Sequence, residues 1–586
     1  MIRQDKIKVF LLFFLLLSCF LPSLSRTQQS ETSSQVKEEL DTKVVMRDGI
    51  RLSTNIYRPD SPGKFPALLM RTPYGNGGTG NKEAYAYAQR GYAVVIQDTR
   101  GRFESEGVFD AMQAEAMDGY DTQQWLGTQP WCNGKIGTYG GSYVGYTQWM
   151  PAQFQSPYLL SMFPLVTFAD LHDMTYHGGA IKLRLFSMWS LTMTAPYTAN
   201  LGKVRNQLDS INFSLPLLEQ DKIAGWRIPF MRDWIQHPEH DLYWERTTVK
   251  DDGYLRIKAS VYNLGGWFDI CLAGTLRNFT AMTARNIDPE IRKKQKLLIG
   301  PWVHGMSKDG KVGDLNFGKE SLIDINSLML QWFDNQLKEI SNRIMDEDPV
   351  KIFVMGKNVW RTEKEWPPAR TQYRNYYFHN EGNANTLNGN GTLNQSLPGK
   401  ESADKYIYDP GNPVPSIGGK VFFDPFTFGP CDQREIEQRE DVLVYSTPPL
   451  QKPVEVTGPI KGVLYASSSA PNTDFTAKLV DVYPDGKAIR LCEGIIRASF
   501  REQEKTPSNI KPDSIYKYEI DLLATSNTFM EGHRIRVEIS SSNFPYFDRN
   551  LNTGRDFSQD STYVKAEQMI YHNKTYPSHI VLPVIE

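Results

Sequence analysis

A glycine-rich turn with a serine near its centre constrains this chain more than any other segment. It reads Gly137-Thr138-Tyr139-Gly140-Gly141-Ser142-Tyr143-Val144-Gly145. The pattern is that of a Gly-x-Ser-x-Gly nucleophile elbow with one extra residue before the last glycine. Small residues before the serine permit a sharp strand-to-helix turn, and Gly145 lets the following helix pack closely. The alternative interpretation is a glycine-rich turn that carries an incidental serine.

The segments around this turn alternate between strand and helix patterns. Residues 135–139 and the apolar runs 66–70 and 92–97 predict strands, whereas residues 82–90, 112–126 and 146–154 predict helices. Residues 44–57 predict a hairpin with an Asp-Gly turn. Such alternation favours a doubly wound parallel sheet, in which a site lies beyond the carboxyl ends of the strands. The loops at Tyr74, Asp98 and Ser142 all fall at that edge.

The remaining chain changes character twice. Residues 170–253 are rich in Met, Trp and Leu at helical spacing and predict a helical cap inserted over the sheet. The α/β pattern then resumes, with strands at 261–264 and 296–299 and helices at 271–282 and 322–340. Beyond residue 370 the strands are short and separated by turns, which favours a β-sandwich or jelly roll. The strand candidates there are 442–445, 460–466, 475–482 and 535–539, and residues 383–399 predict a loop.

Length and charge narrow the class of protein. A chain of 586 residues exceeds a single core, so two to four domains are expected. A formal net charge of −2 gives no reason to expect a nucleic-acid partner. Cys132, Cys271, Cys431 and Cys492 are widely spaced, form no metal-binding pattern, and are expected as free buried thiols, with a single bridge as the alternative.

The first residues have the pattern of an export signal. Arg3, Lys6 and Lys8 precede an apolar run at 9–20, and small residues follow at 23–25, so residues 1–25 are predicted to be a cleaved signal peptide. The apolar run is short for a membrane span, and the mature protein is expected to have none. An uncleaved anchor and lipoprotein processing at Cys19 are the weaker alternatives. The predicted location is periplasmic or secreted.

A serine nucleophile requires a base, and the base requires an orienting carboxylate. In an α/β-hydrolase the chain order is Ser, then Asp or Glu, then His. Asp269 and His304 each follow a predicted strand and stand in that order after Ser142. Taken singly, Asp269 is equally explained as a helix N-cap and His304 as a loop histidine. The three together favour a catalytic triad.

Several motifs together resemble the X-Pro dipeptidyl-peptidase and cocaine esterase (CocE/NonD) family of serine hydrolases. The resemblance covers the chain from about residue 40 to its end. It is carried by residues 91–102 (GYAVVIQDTRGR), 130–137 (PWCNGKIG), 141–143 (GSY), 266–269 (GWFD), 299–304 (IGPWVH) and 466–482 (ASSSAPNTDFTAKLVDV).

The resemblance implies an α/β-hydrolase core at 40–169 and 254–360, a helical cap at 170–253 and a jelly-roll domain at 370–586. Ser142 is then the nucleophile, His304 the general base and acid, and Asp269 its orienter. Tyr74 and the backbone N–H of Tyr143 match the family's oxyanion hole; the alternative for Tyr74 is an aromatic residue packed under the cap. Neither a metal nor an organic cofactor is required.

The predicted substrate is a small ester, an amide or a short peptide. Family members that hydrolyse α-amino esters bind the substrate ammonium with carboxylates. Here the neutral residues Cys271 and Leu272 occupy two of those positions, and Asp173 is the candidate for the remaining one. Two alternatives stay open: an X-Pro dipeptidyl aminopeptidase, and an exported binding protein with an inactive hydrolase domain. Trp189 and Phe186 are candidates for the acyl pocket, although packing inside the cap explains each of them better. The sequence makes no prediction of the oligomeric state.

Overall fold

The structure is a computed structural model that describes residues 35–195, 201–380, 382–420, 428–502 and 506–586. The predicted signal peptide at 1–25, with Cys19, lies outside the described residues. Within them, no helix combines the length and the apolar character that crossing a membrane requires.

A ten-stranded sheet forms the first part of the chain, with strand order β1-β2-β4-β3-β5-β6-β9-β10-β13-β14. From β4 to β13 in this order, each strand pairs in parallel with the next. At one edge β1 and β2, and at the other edge β14, pair antiparallel with their neighbours. The strands to residue 363 are β1 (Val36–Val45), β2 (Arg51–Pro59), β3 (Phe65–Thr72), β4 (Ala93–Asp98), β5 (Cys132–Gly141), β6 (Leu159–Leu165), β7 (Tyr176–His177), β8 (Ala180–Ile181), β9 (Ser260–Gly266), β10 (Gln295–Gly300), β11 (Lys311–Val312), β12 (Leu315–Asn316), β13 (Val350–Val354) and β14 (Val359–Glu363).

Helices cover both faces of this sheet. One face packs against α1 and α13, which share an apolar core with β4, β5 and β10, and the other packs against α3 and α11. The helices are α1 (Lys82–Gln89), α2 (Glu115–Gly127), α3 (Tyr143–Ala152), α4 (Leu171–Thr175), α5 (Leu183–Thr194), α6 (Leu201–Asn206), α7 (Leu208–Phe213), α8 (Gln220–Ala224), α9 (Pro229–Gln236), α10 (Asp251–Arg256), α11 (Leu272–Ala284), α12 (Pro289–Arg292) and α13 (Ile325–Lys338). Since both faces are covered, β4 and β9 are buried along their whole length, as continuous apolar strands should be.

The segment between β6 and β9 is largely helical and lies over the face that carries α3. Buried aromatic residues of α5 and α9 pack with Trp149 and Tyr146 of α3 in one apolar cluster. Trp189 stacks on Trp234 with ring centroids 6.1 Å apart. The short hairpin β7–β8 in this segment was not predicted from the sequence, because strands of two residues have no periodic pattern.

An all-β sheet forms the rest of the chain. Its order is β17-β24-β19-β25-β15-β16-β18-β23-β20-β21, and β22 pairs with β19. The strands are β15 (Thr371–His379), β16 (Thr392–Asn394), β17 (Asp404–Tyr408), β18 (Leu443–Ser446), β19 (Val454–Ser468), β20 (Asp474–Val482), β21 (Ala488–Arg497), β22 (Tyr516–Phe529), β23 (Arg534–Ser540), β24 (Ala566–Tyr571) and β25 (His579–Ile585). The jelly-roll class and the domain boundaries stay predictions.

Three sequence-based predictions of element positions were wrong. The helix expected from residue 112 begins at Glu115, because Met112 has φ 69° and its N–H donates to Tyr143 Oη at 2.9 Å. The helix expected from residue 146 begins at Tyr143, directly after the serine. The loop expected at 383–399 contains β16, which pairs with β15. The expectation of free thiols agrees with the structure, in which Cys132, Cys271, Cys431 and Cys492 are buried and unbridged.

We expect His572 to make the stability of the β domain depend on pH. This buried histidine lies between Asp404 Oδ2 at 3.0 Å and Glu401 Oε2 at 3.2 Å. Burial alone lowers the pKa of His572, but Asp404 and Glu401 outweigh it and hold that pKa above its ordinary value. The resulting stability is therefore full below about pH 6.5 and is lost as pH rises through the folded-state pKa.

The measurement is the urea midpoint of the wild type and of His572→Gln from pH 5.5 to 9. The advantage of the wild type over the variant should shrink as pH rises. An advantage that is constant or grows with pH contradicts the assignment.

Candidate active site

The predicted elbow has the strained backbone that a nucleophile turn requires. Ser142 has φ 58° and ψ −125° and stands directly before α3. Its N–H donates to Leu165 O at 2.9 Å, and its carbonyl accepts a hydrogen bond from Thr167 Oγ1 at 2.7 Å. These bonds anchor the strained residue to the end of β6. Ser142 is partly exposed, whereas its neighbours on both sides are buried.

Two glycines make this turn sterically possible. A Cβ on Gly140, which has φ 127°, would lie 2.3 Å from Val144 Cγ1, and a Cβ on Gly145 would lie 2.5 Å from Thr167 Cβ. Both distances are far below van der Waals contact. The prediction that this turn needs small residues is therefore confirmed. The segment that packs closely against Gly145 is the loop after β6.

Asp269 and His304 form a hydrogen-bonded pair beyond the ends of β9 and β10. His304 Nδ1 lies 2.7 Å from Asp269 Oδ1, and both side chains are buried. Asp269 Oδ1 also accepts the N–H of Cys271 at 3.1 Å, but the helix that follows begins at Leu272 with Cys271 as its N-cap, so the alternative of Asp269 as the helix N-cap is wrong. With Nδ1–H donated to the carboxylate, Nε2 is left as the basic nitrogen.

Cys271 stands beside this pair and completes a group of possible metal ligands. The ligand atoms of Asp269, Cys271 and His304 all lie within 4.8 Å of one another. Burial raises the pKa of the Cys271 thiol well above its usual value, so in the absence of a cation this group is a neutral thiol. Asp269 Oδ1 is moreover already bonded to the imidazole. The arrangement therefore suits an acid–base pair better than a metal centre.

The two expected oxyanion residues lie against each other. The rings of Tyr74 and Tyr143 meet edge to face, with centroids 6.4 Å apart. As the first residue of α3, Tyr143 has an N–H without an intrahelical acceptor. Burial raises the pKa of Tyr74 to about 12 against the opposing effects of the Trp189 hydrogen bond and of nearby Arg102, so the phenol keeps its proton at neutral pH. Tyr74 Oη accepts a hydrogen bond from Trp189 Nε1 at 3.3 Å.

A buried ionic network that sequence reasoning missed holds Tyr143 in place. Tyr143 Oη donates to Glu115 Oε1 at 2.8 Å, and Glu115 Oε2 pairs with Arg71 Nη1 at 2.8 Å. Arg71 is 2% exposed and Glu115 3%, so the network ties β3, α2 and α3 together beneath the site. The only signal in the sequence was the position of Arg71 three residues before Tyr74.

The carboxylates on the cap side of the site are paired with an arginine. Arg277 pairs with Asp173 and also with Asp170, where its Nη1 lies 3.0 Å from Oδ2. Buried Lys182 donates to Asp173 O at 2.9 Å, and burial lowers its pKa to about 8. Lys182 and Cys271 line one small cavity together with Asp170 and Asp173. Asp173 is thus not a free carboxylate.

Comparison with known proteins places the chain in a family. Residues 48–306 match the model of the X-Pro dipeptidyl-peptidase (S15 family), and residues 342–581 match that of the X-Pro dipeptidyl-peptidase C-terminal non-catalytic domain. The chain is 40% identical over 571 residues to the cocaine esterase of Rhodococcus sp. (strain MB1 Bresler), covering 93% of this chain and 98% of the relative. The chain belongs to the X-Pro dipeptidyl-peptidase (S15) family.

Solved structures agree with this membership. An α-amino acid ester hydrolase superposes with a TM-score of 0.80 at 26% identity, over 96% of this chain and 98% of the other. An aminopeptidase from a Thaumarchaeota archaeon gives a TM-score of 0.80 and 26% identity, over 97% and 98%. The predicted fold, an α/β-hydrolase core followed by a C-terminal β domain, is confirmed. As a member of the S15 family, the protein is a serine hydrolase.

Proposed function

We propose that this S15-family member hydrolyses carboxylic esters through an acyl-enzyme on Ser142, with His304 as base and Asp269 as its orienter. The observation that carries the proposal is the buried 2.7 Å bond between His304 Nδ1 and Asp269 Oδ1 at the sheet edge that also ends in the Ser142 elbow. The relationship to an esterase at 40% identity supports the same reaction class.

The proposed chemistry proceeds in two displacements. Ser142 Oγ attacks the ester carbonyl carbon while His304 Nε2 takes its proton, and Asp269 stabilises the imidazolium through Nδ1–H. The carbonyl oxygen becomes an oxyanion that the Tyr74 hydroxyl and the Tyr143 N–H stabilise. His304 then returns the proton to the leaving alcohol. Water, deprotonated by His304, then attacks the acyl carbon. The bond to Ser142 Oγ breaks, the carboxylic acid leaves, and His304 returns the proton to Oγ.

The electrostatics disfavour substrates with an α-ammonium group. Cys271 and Leu272 are neutral, the carboxylates of Asp170 and Asp173 are bonded to Arg277, and Lys182 adds a positive charge nearby. An α-ammonium group therefore gains no unpaired carboxylate from these residues and is repelled by Lys182. A simple acyl ester is the better substrate class, and an X-Pro dipeptidyl aminopeptidase, which the family match favours, is the second candidate.

The test is turnover of three substrates by the purified protein: p-nitrophenyl acetate, an α-amino acid ester and Gly-Pro-p-nitroanilide. We expect kcat/KM to be highest for the acetate and lowest for the dipeptide anilide. Mass spectrometry after reaction with a fluorophosphonate should place the adduct on the peptide that contains Ser142. A dominant rate on Gly-Pro-p-nitroanilide selects the aminopeptidase, and inertness towards all three substrates and the probe favours the binding-protein alternative.

We also propose export, which rests on the charged and apolar pattern of residues 1–25. N-terminal sequencing of the protein from its native host should find a start close to residue 26. A start at residue 1 or a lipidated Cys19 argues for one of the two alternatives.

A further inference from the structure

A second cavity lies beside the serine elbow, on the sheet face that carries α1 and α13. Its volume is about 430 Å³. The loop and helix start at residues 74–84 form one side, and the ends of β3 to β6 with α13 form the other. No described residue between 166 and 324 lines it, so the cap and the Asp269–His304 pair lie outside it. The esterase mechanism assigns no role to this space.

Two residues that line the cavity are part of the proposed catalytic site or directly adjoin the nucleophile. Tyr74, the proposed oxyanion donor, lines it, as does Gly141, which directly precedes the nucleophile. Gly75, Gly77 and Gly80 have φ of 108°, 77° and 74°, so the covering loop arches in conformations that larger residues rarely adopt.

The lining is mainly apolar, although Asn76, Asn81 and Asn326 also contribute to it. Ile325 and Met329 of α13, Leu165 of β6, and Met70 and Ile96 of β3 and β4 form its inner surface. The two charged lining residues, Lys82 and Glu83, belong to the start of α1. Lys82 is exposed, and burial raises the pKa of Glu83, whose Oε1 accepts a hydrogen bond from Tyr87 Oη at 3.0 Å.

We propose that this cavity is a substrate subsite that takes a bulky, uncharged, apolar group of the ester. The inference rests on the proposed esterase function. A volume of this size accommodates a medium-length alkyl chain or an aromatic ring system. Either the acyl chain or the alcohol part of an ester supplies such a group, and the two sources are separated by experiment.

The experiment measures kcat/KM for two homologous series. In one, p-nitrophenyl esters carry acyl chains of two to ten carbons; in the other, acetates carry alcohols of two to ten carbons. We expect one series to rise by about fourfold per added methylene until the cavity is full, as burial of a methylene predicts. Met329→Trp, which fills the cavity, should flatten that series and leave ethyl acetate, whose acyl and alcohol parts are both small, within about twofold of wild type.

Met329→Leu is the matched control, because it preserves the volume and should preserve the slope. If Met329→Trp fails to fold, Ile325→Phe fills the same cavity from the previous turn of α13. Two flat series in the wild type, or slopes that neither filling variant changes, overturn the subsite. Absence of turnover on p-nitrophenyl acetate instead refutes the esterase proposal itself, so the two failures are distinguishable.

A separate observation concerns Trp189, whose indole contacts both proposed oxyanion residues. Its Nε1–H donates to Tyr74 Oη at 3.3 Å, and its ring stacks on that of Tyr143 with centroids 6.1 Å apart and an interplanar angle of 22°. Trp189 belongs to α5 of the cap and is 8% exposed. An N–H donated to a phenol oxygen occupies an acceptor position of that oxygen and so restricts the directions in which the hydroxyl can point.

We infer that Trp189 is a positioning residue that aims the Tyr74 hydroxyl at the oxyanion. The received hydrogen bond also favours the phenolate form, which makes Tyr74 a stronger donor. This inference, too, rests on the proposed function. It makes the cap part of the catalytic machinery as well as a cover for the site.

A double-mutant cycle tests it. Trp189→Phe keeps an aromatic ring and removes the N–H, and should lower kcat for p-nitrophenyl acetate by about fivefold, with KM within about twofold. Tyr74→Phe should lower kcat by about 10²–10³-fold. In the Tyr74→Phe background, Trp189→Phe should have no further effect on kcat.

Equal losses in both backgrounds overturn the positioning role and indicate a general packing effect. Phe186→Leu is the control for cap packing, since Phe186 lies on the same helix and also packs against Trp234. If Tyr74→Phe itself leaves kcat unchanged, the assignment of Tyr74 to the oxyanion hole is wrong, and the role proposed for Trp189 is wrong with it.

Discussion

We expect Ser142→Ala to lower kcat for p-nitrophenyl acetate by about 10⁴–10⁶-fold, because no acyl-enzyme can form without Oγ. Ala keeps the small size that the turn needs, and the Ser142 hydroxyl makes no helix-capping bond, so the fold should be unaffected. The measurement combines steady-state hydrolysis with the mass of the protein after a fluorophosphonate. The variant should show neither turnover nor adduct.

Ser161→Ala is the matched control for this variant. Ser161 lies in neighbouring β6, is buried and accepts a hydrogen bond from Ser260 Oγ at 3.0 Å. It tests whether loss of any serine hydroxyl in this sheet disturbs activity, and kcat should stay near the wild-type value. Comparable turnover by Ser142→Ala and wild type rejects the nucleophile assignment.

We expect Asp269→Asn to lower kcat by about 10⁴-fold, while KM changes little. The asparagine amide has nearly the same shape, but it can donate to Nδ1 and so leave the proton on Nε2, where His304 can no longer act as a base. It also removes the negative charge that stabilises the imidazolium. The measurement is kcat between pH 6 and 9, over which the loss should persist.

Another Asp–His pair, far from the candidate site in sequence, serves as a control. In the β domain, His533 Nδ1 lies 2.8 Å from Asp481 Oδ1, and Asp481 is buried. Asp481→Asn makes the same chemical change outside the candidate site and should affect stability more than kcat. If Asp269→Asn loses no more activity than Asp481→Asn, the proposed role of Asp269 is wrong.

Most of the fold was predictable because its signals are local. Continuous apolar runs identified β4 and β10, an Asp-Gly turn identified the hairpin of β1 and β2, and the glycines around Ser142 identified the strand-to-helix turn. Boundaries failed where a distant group decided them. The start of α2 depends on Tyr143 Oη, which accepts a hydrogen bond from the Met112 N–H. The two residues are 31 positions apart in the sequence.

The sequence by itself determined the order of the serine, aspartate and histidine, their positions after strands, and the small residues that the elbow needs. These properties follow from short-range sterics and hydrophobic periodicity, which each stretch of chain carries alone. Tertiary structure decided the rest: the Arg71–Glu115–Tyr143 network, the bond from Trp189 to Tyr74, and the cavity between α1 and α13. Each of these features is formed by side chains that are far apart in the sequence and come into contact only when the sheet and the cap pack together. A local sequence pattern therefore cannot predict them.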